Sequence, residues 1–157
     1  LTKRSSMTIK KLIVALLTLG SVAVLASPAL SVPVEILLQT GGDDLRAGSY
    51  ANFYIKLRGR PLIARNNITR RQNLANNSLT RRTIDIPELT SLNQVEYCEI
   101  EHVSQESGGQ TADNWNLDSA VIRMRRPSDS ALVTICERTR RHRFDGNNRR
   151  LTINRVR

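Results

Sequence analysis

From Val32 onward, short β-type runs alternate with turn residues, and this pattern constrains the fold more than any other feature of the chain. The run YANFYIKL (50–57) shows it well, because its apolar side chains occupy every second position, as in a half-buried strand. No window of twelve or more residues after Val32 keeps a helical period. The pattern therefore argues against a helical fold and predicts an all-β one.

Turn residues divide residues 32–157 into about eight predicted strands in one domain, which favours a β-sandwich or a small barrel. A long polar loop is predicted over 65–78 and a glycine-rich loop over 105–112. The predicted strands are Pro33–Thr40, Tyr50–Leu57, a short edge piece Arg60–Ile63, Leu79–Ile86, Asn93–Val103, Trp115–Arg125, Leu132–Arg138, Arg140–Phe144 and Arg150–Val156.

The first 31 residues have the composition of a secretory signal peptide. Four basic residues precede the apolar run Leu12–Ala26, and small residues follow it. This order is typical of a cleaved signal peptide, and Leu1 is typical of an alternative bacterial start codon read literally. We therefore predict that residues 1–31 are removed from a bacterial protein that is secreted or periplasmic. The alternative is a retained membrane anchor, for which the apolar run is short.

Charge is segregated along the chain, which has 24 Lys and Arg against 14 Asp and Glu. Residues 58–82 contain seven Arg and no acid, residues 85–118 eight acids and no Lys or Arg, and residues 123–157 eleven Arg and three acids. Such blocks indicate either an anion-binding face or basic and acidic strands that pair across a sheet. Aromatic residues are only 4%, which argues against a surface that stacks sugars or nucleic-acid bases.

Three stretches together resemble the PLAT domain family, which is named for polycystin, lipoxygenase and alpha-toxin. They are TGGDDLRAGSYANFYIKLR (40–58), the strand end IEH (100–102) and DNWNLDSAVI (113–122), in this order and spacing. The likeness extends from about Pro33 to Val156, and the DNWNLDS run is its most specific part. The resemblance implies a sandwich of two four-stranded antiparallel sheets, in agreement with the strand count. It also implies a lipid-facing or protein-docking module, with Ca²⁺ in some members.

Three aspartates are the candidate metal ligands. Asp43 and Asp44 lie beside two glycines, and Asp113 is expected at the same end of the sandwich, so the three could begin a Ca²⁺ site; the alternative is an ordinary Asp-rich turn. Family members that bind the ion have an Asp where this chain has Tyr50. Because Ca²⁺ needs about six to eight oxygen ligands, we expect it to bind weakly or not at all, and we predict no other cofactor.

The remaining residues that could bind a ligand or take part in catalysis are better explained by structural roles. Trp115 is the only tryptophan, and we interpret it as a core or sheet-edge anchor rather than a membrane-inserting side chain. His102 is interpreted as a hydrogen-bonded, inert histidine in the core or at a strand end. The sequence contains no G-x-S-x-G nucleophile elbow and no zinc motif. We therefore expect no enzyme.

Cys98 and Cys136 are the only cysteines, in a chain predicted to reach an oxidising compartment. A disulfide between them would stabilise the fold by roughly 4 kcal/mol on the chain-entropy model. The alternative is two unpaired thiols buried in separate strands.

The arginines suggest a binding face. Arg123 and Arg125 occupy alternate positions of one predicted strand, so both should face solvent on the same side. Three later arginines lie in strands that antiparallel hairpins can bring alongside. The predicted anion-binding face comprises Arg123, Arg125, Arg138, Arg140 and Arg150.

These observations favour a secreted, non-catalytic binding module with a basic face. Its expected partner is an anionic lipid surface, an acidic polysaccharide or a protein, and not nucleic acid. One alternative is a small secreted hydrolase whose catalytic residues are not recognisable from the sequence. The other is a structural envelope protein that tolerates high charge.

Overall fold

The computed structural model describes residues 32–105, 112–126 and 128–157, so the predicted signal peptide lies outside the described residues. Within these ranges the chain forms nine strands and a short 3-10 turn at Leu92–Gln94. The strands are β1 (Val32–Thr40), β2 (Tyr50–Leu57), β3 (Leu62–Arg65), β4 (Leu79–Ile86), β5 (Val95–Val103), β6 (Trp115–Arg125), β7 (Leu132–Arg138), β8 (His142–Phe144) and β9 (Arg150–Asn154).

The strands form two antiparallel sheets, which confirms the predicted all-β sandwich. The first sheet has the order β4-β1-β6-β7, and the second has the order β3-β2-β5-β9. The first sheet has five strands instead of the expected four, because β8 also pairs with β6. β7 pairs with β6 only from Ala120 onward, and β8 pairs with the beginning of β6 at Trp115–Leu117.

Alternation along the strands places the core between the sheets. In β2, Ala51, Phe53, Ile55 and Leu57 are fully buried, as the sequence predicts. In β6 the apolar neighbours of Arg123 and Arg125 are also fully buried, while Arg125 is exposed. Burial of these apolar side chains supplies the main stabilising free energy of the fold.

Strand ends differ from the predicted ones where turns are closed by local hydrogen bonds. The edge strand β3 begins at Leu62, because the backbone N–H of Arg60 bonds the Leu57 carbonyl and Gly59 has φ +66°, which closes a turn first. The predicted strand at Asn93 begins as a 3-10 turn, since the Ser91 and Gln94 side chains form a capping box.

The predicted long loop is docked against the sandwich. Ile68 and Leu74 are buried, and Leu74 exchanges backbone hydrogen bonds with Leu45. The buried Thr69 hydroxyl accepts a hydrogen bond from the Ala51 N–H at 3.0 Å. The loop is therefore held by its own apolar and polar contacts.

Cys98 and Cys136 form a disulfide, which confirms the predicted pairing. Cys98 lies in β5 of the second sheet and Cys136 in β7 of the first, with Cα atoms 6.2 Å apart. The bond therefore joins the two sheets across the core.

The described part of the chain contains no helix that could span a membrane.

Antiparallel pairing gives the sandwich two distinct ends. We call one the loop end, where residues 41–49, 66–78, 112–114 and 145–149 meet. We call the other the basic end, formed by residues 58–61, 87–94, 128–131 and 155–157. The two ends place different charges at the surface.

Candidate binding surfaces

The five predicted anion-binding arginines do not share a surface. Arg150 lies in β9 of the second sheet, whose outer face is on the opposite side of the sandwich from that of the first. Its guanidinium contacts Glu99 at 2.9 Å and Glu101 at 3.0 Å. Arg150 is thus neutralised by two carboxylates and is separated from the arginines of β6.

Arg123 lies on the outer face of the first sheet within a row of alternating charges. Arg81 of β4 and Arg123 of β6 flank Glu35 of β1, with nitrogen–oxygen distances of 3.2 and 3.9 Å. This row is an example of the second sequence interpretation, in which basic and acidic strands pair across a sheet.

The other three predicted arginines have no carboxylate within ion-pair distance among the described residues. Arg125 donates to the Ser130 carbonyl and Arg138 to the Arg140 carbonyl, each at 3.1 Å. They are spread from the basic end to the far end of β7, so they do not converge on one site.

The structure does not bring the three candidate metal ligands together. Asp43 pairs with Arg143 at 3.2 Å, and Asp44 accepts a hydrogen bond from Asn73 at 3.0 Å. Asp113 is buried elsewhere at the loop end. No three His, Cys, Asp or Glu side chains of the described ranges form a group that could hold a metal ion.

Asp113 is a buried carboxylate that pairs with the partly exposed Arg46. Its carboxylate lies 2.5 Å from Nε of Arg46 and accepts the Arg46 backbone N–H at 3.1 Å. Nε2 of His102 is 3.6 Å away. Burial raises the pKa of Asp113, but the interactions with His102, Arg46 and the Ser49 hydroxyl outweigh burial and lower the pKa to about 2.

His102 and Trp115 lie in the core, as predicted, but the prediction of a hydrogen-bonded His102 is wrong, because neither ring nitrogen has a hydrogen-bond partner among the described residues. Trp115 stacks on Phe144 with ring centroids 5.1 Å apart, and its Nε1 donates to the Thr40 hydroxyl at 3.3 Å. His102 packs on both rings.

The neighbouring Ser49, Asp113 and His102 do not form a catalytic triad. The Ser49 hydroxyl bonds the Asp113 carboxyl, and neither ring nitrogen of His102 forms a hydrogen bond among the described residues, the approach of Nε2 to Asp113 being longer, at 3.6 Å. A triad histidine must instead bond the nucleophile. All three side chains are also buried.

A surface cavity of about 720 Å³ lies at the basic end, which the sequence analysis did not identify. Arg58, Arg155 and Arg157 line it together with Glu96 and Asn154. Within the described part of the chain, none of these three arginines has a carboxylate at ion-pair distance. The cavity therefore has a net positive lining.

An apolar groove of about 250 Å³ adjoins this cavity and shares Arg155 and Arg157 with it. Its apolar side chains are Leu92, Val133, Ile135 and Val156. Val156 is 40% exposed.

No single motif encodes this surface, because its lining comes from the ends of several strands. The only sequence signal is the pair of arginines that flanks Val156.

Comparisons with known proteins relate the fold to solved structures. No family model matches the chain, and no curated protein matches it. The Clostridium perfringens alpha-toxin from an avian strain matches with a TM-score of 0.54 at 13% identity, over 82% of this chain and 32% of the toxin. The lipoxygenase variant Delta413-417:GS matches with a TM-score of 0.48 at 8% identity, over 80% of this chain and 16% of the enzyme.

The chain thus spans about a third or less of the length of each of these proteins. Alpha-toxin is one of the three proteins for which the PLAT family is named. The likeness is one of fold, and this chain has the PLAT-type β-sandwich that its sequence motifs predict.

Proposed function

We propose that the chain is a non-catalytic binding module that docks on anionic lipid surfaces through its basic end. The observation behind this proposal is the joint surface at that end, where a cavity lined by Arg58, Arg155 and Arg157 adjoins an apolar groove. Guanidinium groups pair well with phosphates, and the exposed Val156 gains free energy on entering an apolar phase.

A lipid surface suits this geometry better than a polysaccharide or a protein. A sugar polymer would be expected to stack on exposed aromatic rings, but Trp115 and both phenylalanines are buried and the three tyrosines are only partly exposed. A protein partner would call for a larger apolar patch than the separate side chains Leu132 and Val156 supply. A lipid-facing role is also what the resemblance to PLAT domains implies.

We further propose that the protein acts outside the cytoplasm. The predicted signal peptide would direct its export, and the disulfide between Cys98 and Cys136 would persist in an oxidising compartment. Mass spectrometry of the exported protein should then find an N-terminus between about residues 27 and 33. An N-terminus at Leu1 or Met7 would contradict export with cleavage.

Vesicle co-sedimentation across a salt series tests the docking proposal. The protein should bind phosphatidylglycerol vesicles at low salt, bind phosphatidylcholine vesicles little, and lose affinity as salt rises. The double variant Arg58→Gln/Arg157→Gln should bind the anionic vesicles at least tenfold more weakly, since each arginine near the surface contributes about 1 kcal/mol. Val156→Asp should weaken binding further.

The matched control is Arg138→Gln/Arg140→Gln, which removes the same charge far from the basic end. We expect it to change the affinity less than threefold. Equal losses in the two double variants would show attraction to net charge alone. No binding at low salt would rule out the lipid surface and leave the polysaccharide or protein partner.

A further inference from the structure

A second basic cavity lies beside β4, apart from the basic end. We propose that this cavity of about 200 Å³ binds one tetrahedral oxyanion, a phosphate or sulfate group. It is lined by Arg65, Arg70 and Arg82 and by no carboxylate. The site goes beyond the proposed lipid docking, because it has its own residues and its own ligand.

The positive charge in this cavity is only partly compensated. Arg65 lies 3.4 Å from Glu88, whereas Arg70 and Arg82 have no carboxylate at ion-pair distance among the described residues. Burial lowers the pKa of Arg82, and the nearby charge of Arg70 lowers it further. An anion between Arg70 and Arg82 would relieve this repulsion.

Arg82 is fixed in place but retains donors for a ligand. Its Nε donates to the Ile68 carbonyl at 3.1 Å, and Nη2 donates to Oε1 of Gln72 at 2.7 Å. Nη1 donates to the Arg81 carbonyl at 3.0 Å. Each terminal nitrogen carries a second N–H, so two N–H groups remain after these bonds form. A guanidinium held in this way presents its donors to an oxyanion with little loss of side-chain entropy.

The loop that supplies the other lining residues is also preorganised. Asn67 forms two hydrogen bonds: its N–H donates to the side-chain oxygen of Asn52 at 2.8 Å, and its own side-chain oxygen accepts the Arg71 N–H at 3.0 Å. Asn67, Arg70 and Arg71 have positive φ values of 52°, 57° and 55°. Such backbone conformations cost free energy and persist only where the surroundings hold them. The loop therefore fixes the backbone of Arg70, whose side chain lines the cavity together with Arg82, before any ligand arrives.

The volume and lining of the cavity favour a small oxyanion over a larger ligand. Pockets for drug-sized molecules measure about 300–1,000 Å³, so about 200 Å³ suits a single small group. The paired N–H groups of arginine match the oxygens of phosphate and sulfate. Asn66 and Thr83 add neutral hydrogen-bonding groups to the lining.

Titration followed by ¹H–¹⁵N NMR and calorimetry tests the site. Inorganic phosphate, sulfate and glucose 6-phosphate are added separately, with chloride at matched ionic strength as the reference. We expect saturable shifts confined to amides near residues 66–70 and 82–84. Tighter binding of glucose 6-phosphate than of the free ions would assign the group to a phosphorylated small molecule, and equal binding would assign it to the free ion.

Arg70→Gln is the diagnostic variant, since the Arg70 side chain has no hydrogen-bond or ion-pair partner among the described residues and its loss should not unfold the loop. It should weaken anion binding by about tenfold or more, as expected for a charge-assisted hydrogen bond. Arg60→Gln, which removes an equal charge from an exposed turn, should change the affinity less than twofold.

Two results would overturn the proposal: no saturable shift with any of the three anions, or equal weakening in Arg70→Gln and Arg60→Gln. Vesicle binding separates this site from the proposed lipid docking. Arg70→Gln should leave the affinity for anionic vesicles within twofold of the unmodified protein, whether or not the oxyanion site exists.

Discussion

The two ends of the sandwich use arginine differently. Toward the loop end, arginines meet carboxylates: Arg46 pairs with Asp113, Arg143 with Asp43 and Arg141 with Asp118, at 2.5, 3.2 and 2.6 Å. At the basic end, the arginines of the large cavity have no such partner in the described part of the chain. The first set of arginines is thus neutralised by carboxylates, whereas the second leaves positive charge available. The division is not complete, because Arg126 pairs with Asp129 at 3.0 Å at the basic end, and Arg70 near the loop end has no carboxylate at ion-pair distance among the described residues.

This difference explains why counts of charged residues along the sequence do not identify the arginines that are available to bind anions. A block of arginines looks the same whether its members bond carboxylates across a sheet or face solvent unpaired. We expect the paired arginines to affect mainly stability and the unpaired ones mainly anion binding. Variants at the two ends should therefore separate these two properties.

The largest loss of stability is expected for Asp113→Asn. The carboxylate is buried and bonded to Arg46, and its pKa of about 2 lies below the ordinary value of 3.8. The difference corresponds to about 2 kcal/mol of stability at pH 7, to be measured by urea unfolding. Glu96→Gln at the basic end, where Glu96 is exposed and has no ion-pair partner among the described residues, should change stability by less than about 0.5 kcal/mol.

The pH dependence provides a second check on Asp113. A lowered pKa in the folded state means that the stabilisation is complete above about pH 3.8 and is lost as the pH falls toward about 2. The difference between the unmodified protein and Asp113→Asn should shrink over the same interval. A difference that stays constant down to pH 2 would show that packing, and not charge, accounts for the effect.

A smaller loss is expected for Glu101→Gln on the second sheet. Glu101 accepts hydrogen bonds from Tyr54, Asn52 and Arg150. Burial raises the pKa of Glu101, but these bonds outweigh burial and lower it. Because the carboxylate is partly exposed and Gln can still accept one bond, we expect a loss of about 1 kcal/mol in urea unfolding.

The cost of Glu101→Gln should diminish as the carboxylate becomes protonated at acidic pH, since its lowered pKa stabilises the fold only in the charged form. Lys56→Gln is a suitable control on the same outer face, because Lys56 bonds only a backbone carbonyl. It should change stability by less than half as much. A larger cost for Lys56→Gln would mean that the network around Glu101 adds little.

Local patterns predicted the fold because they act within single strands. Alternation in YANFYIKL identified a strand with one buried face, and the strand pattern placed Cys98 and Cys136 in separate strands, which the disulfide joins. The fifth strand of the first sheet was not predictable in this way. β8 pairs with β6 only because β7 diverges from it near Ala120, a relation between distant segments.

The candidate sites were less predictable for the same reason. Arg123 and Arg150 are similar in sequence context, but they lie in different sheets with different acidic neighbours. The basic end combines Arg58, which follows β2, with Arg155 and Arg157, which follow β9. No spacing rule connects residues almost a hundred positions apart, so only the strand pairing reveals the cavity.

The smallest effect is expected for Arg123→Gln, which tests the predicted anion face directly. Arg123 lies 3.9 Å from Glu35, and Arg81 approaches the same carboxylate more closely, at 3.2 Å. Loss of Arg123 should therefore cost at most about 0.5 kcal/mol, because Arg81 still neutralises Glu35 and both arginines are solvent-accessible. Affinity for anionic vesicles should change less than twofold.

Glu35→Gln is the matched probe, since it frees both arginines without removing a basic residue. If Glu35→Gln strengthens vesicle binding several-fold, Arg81 and Arg123 form an anion-binding face whose positive charge Glu35 neutralises. The contrast between paired and unpaired arginines would then extend to the outer face of the first sheet. If Arg123→Gln weakens binding as much as Arg58→Gln/Arg157→Gln, ion pairing does not separate structural from binding arginines in this molecule.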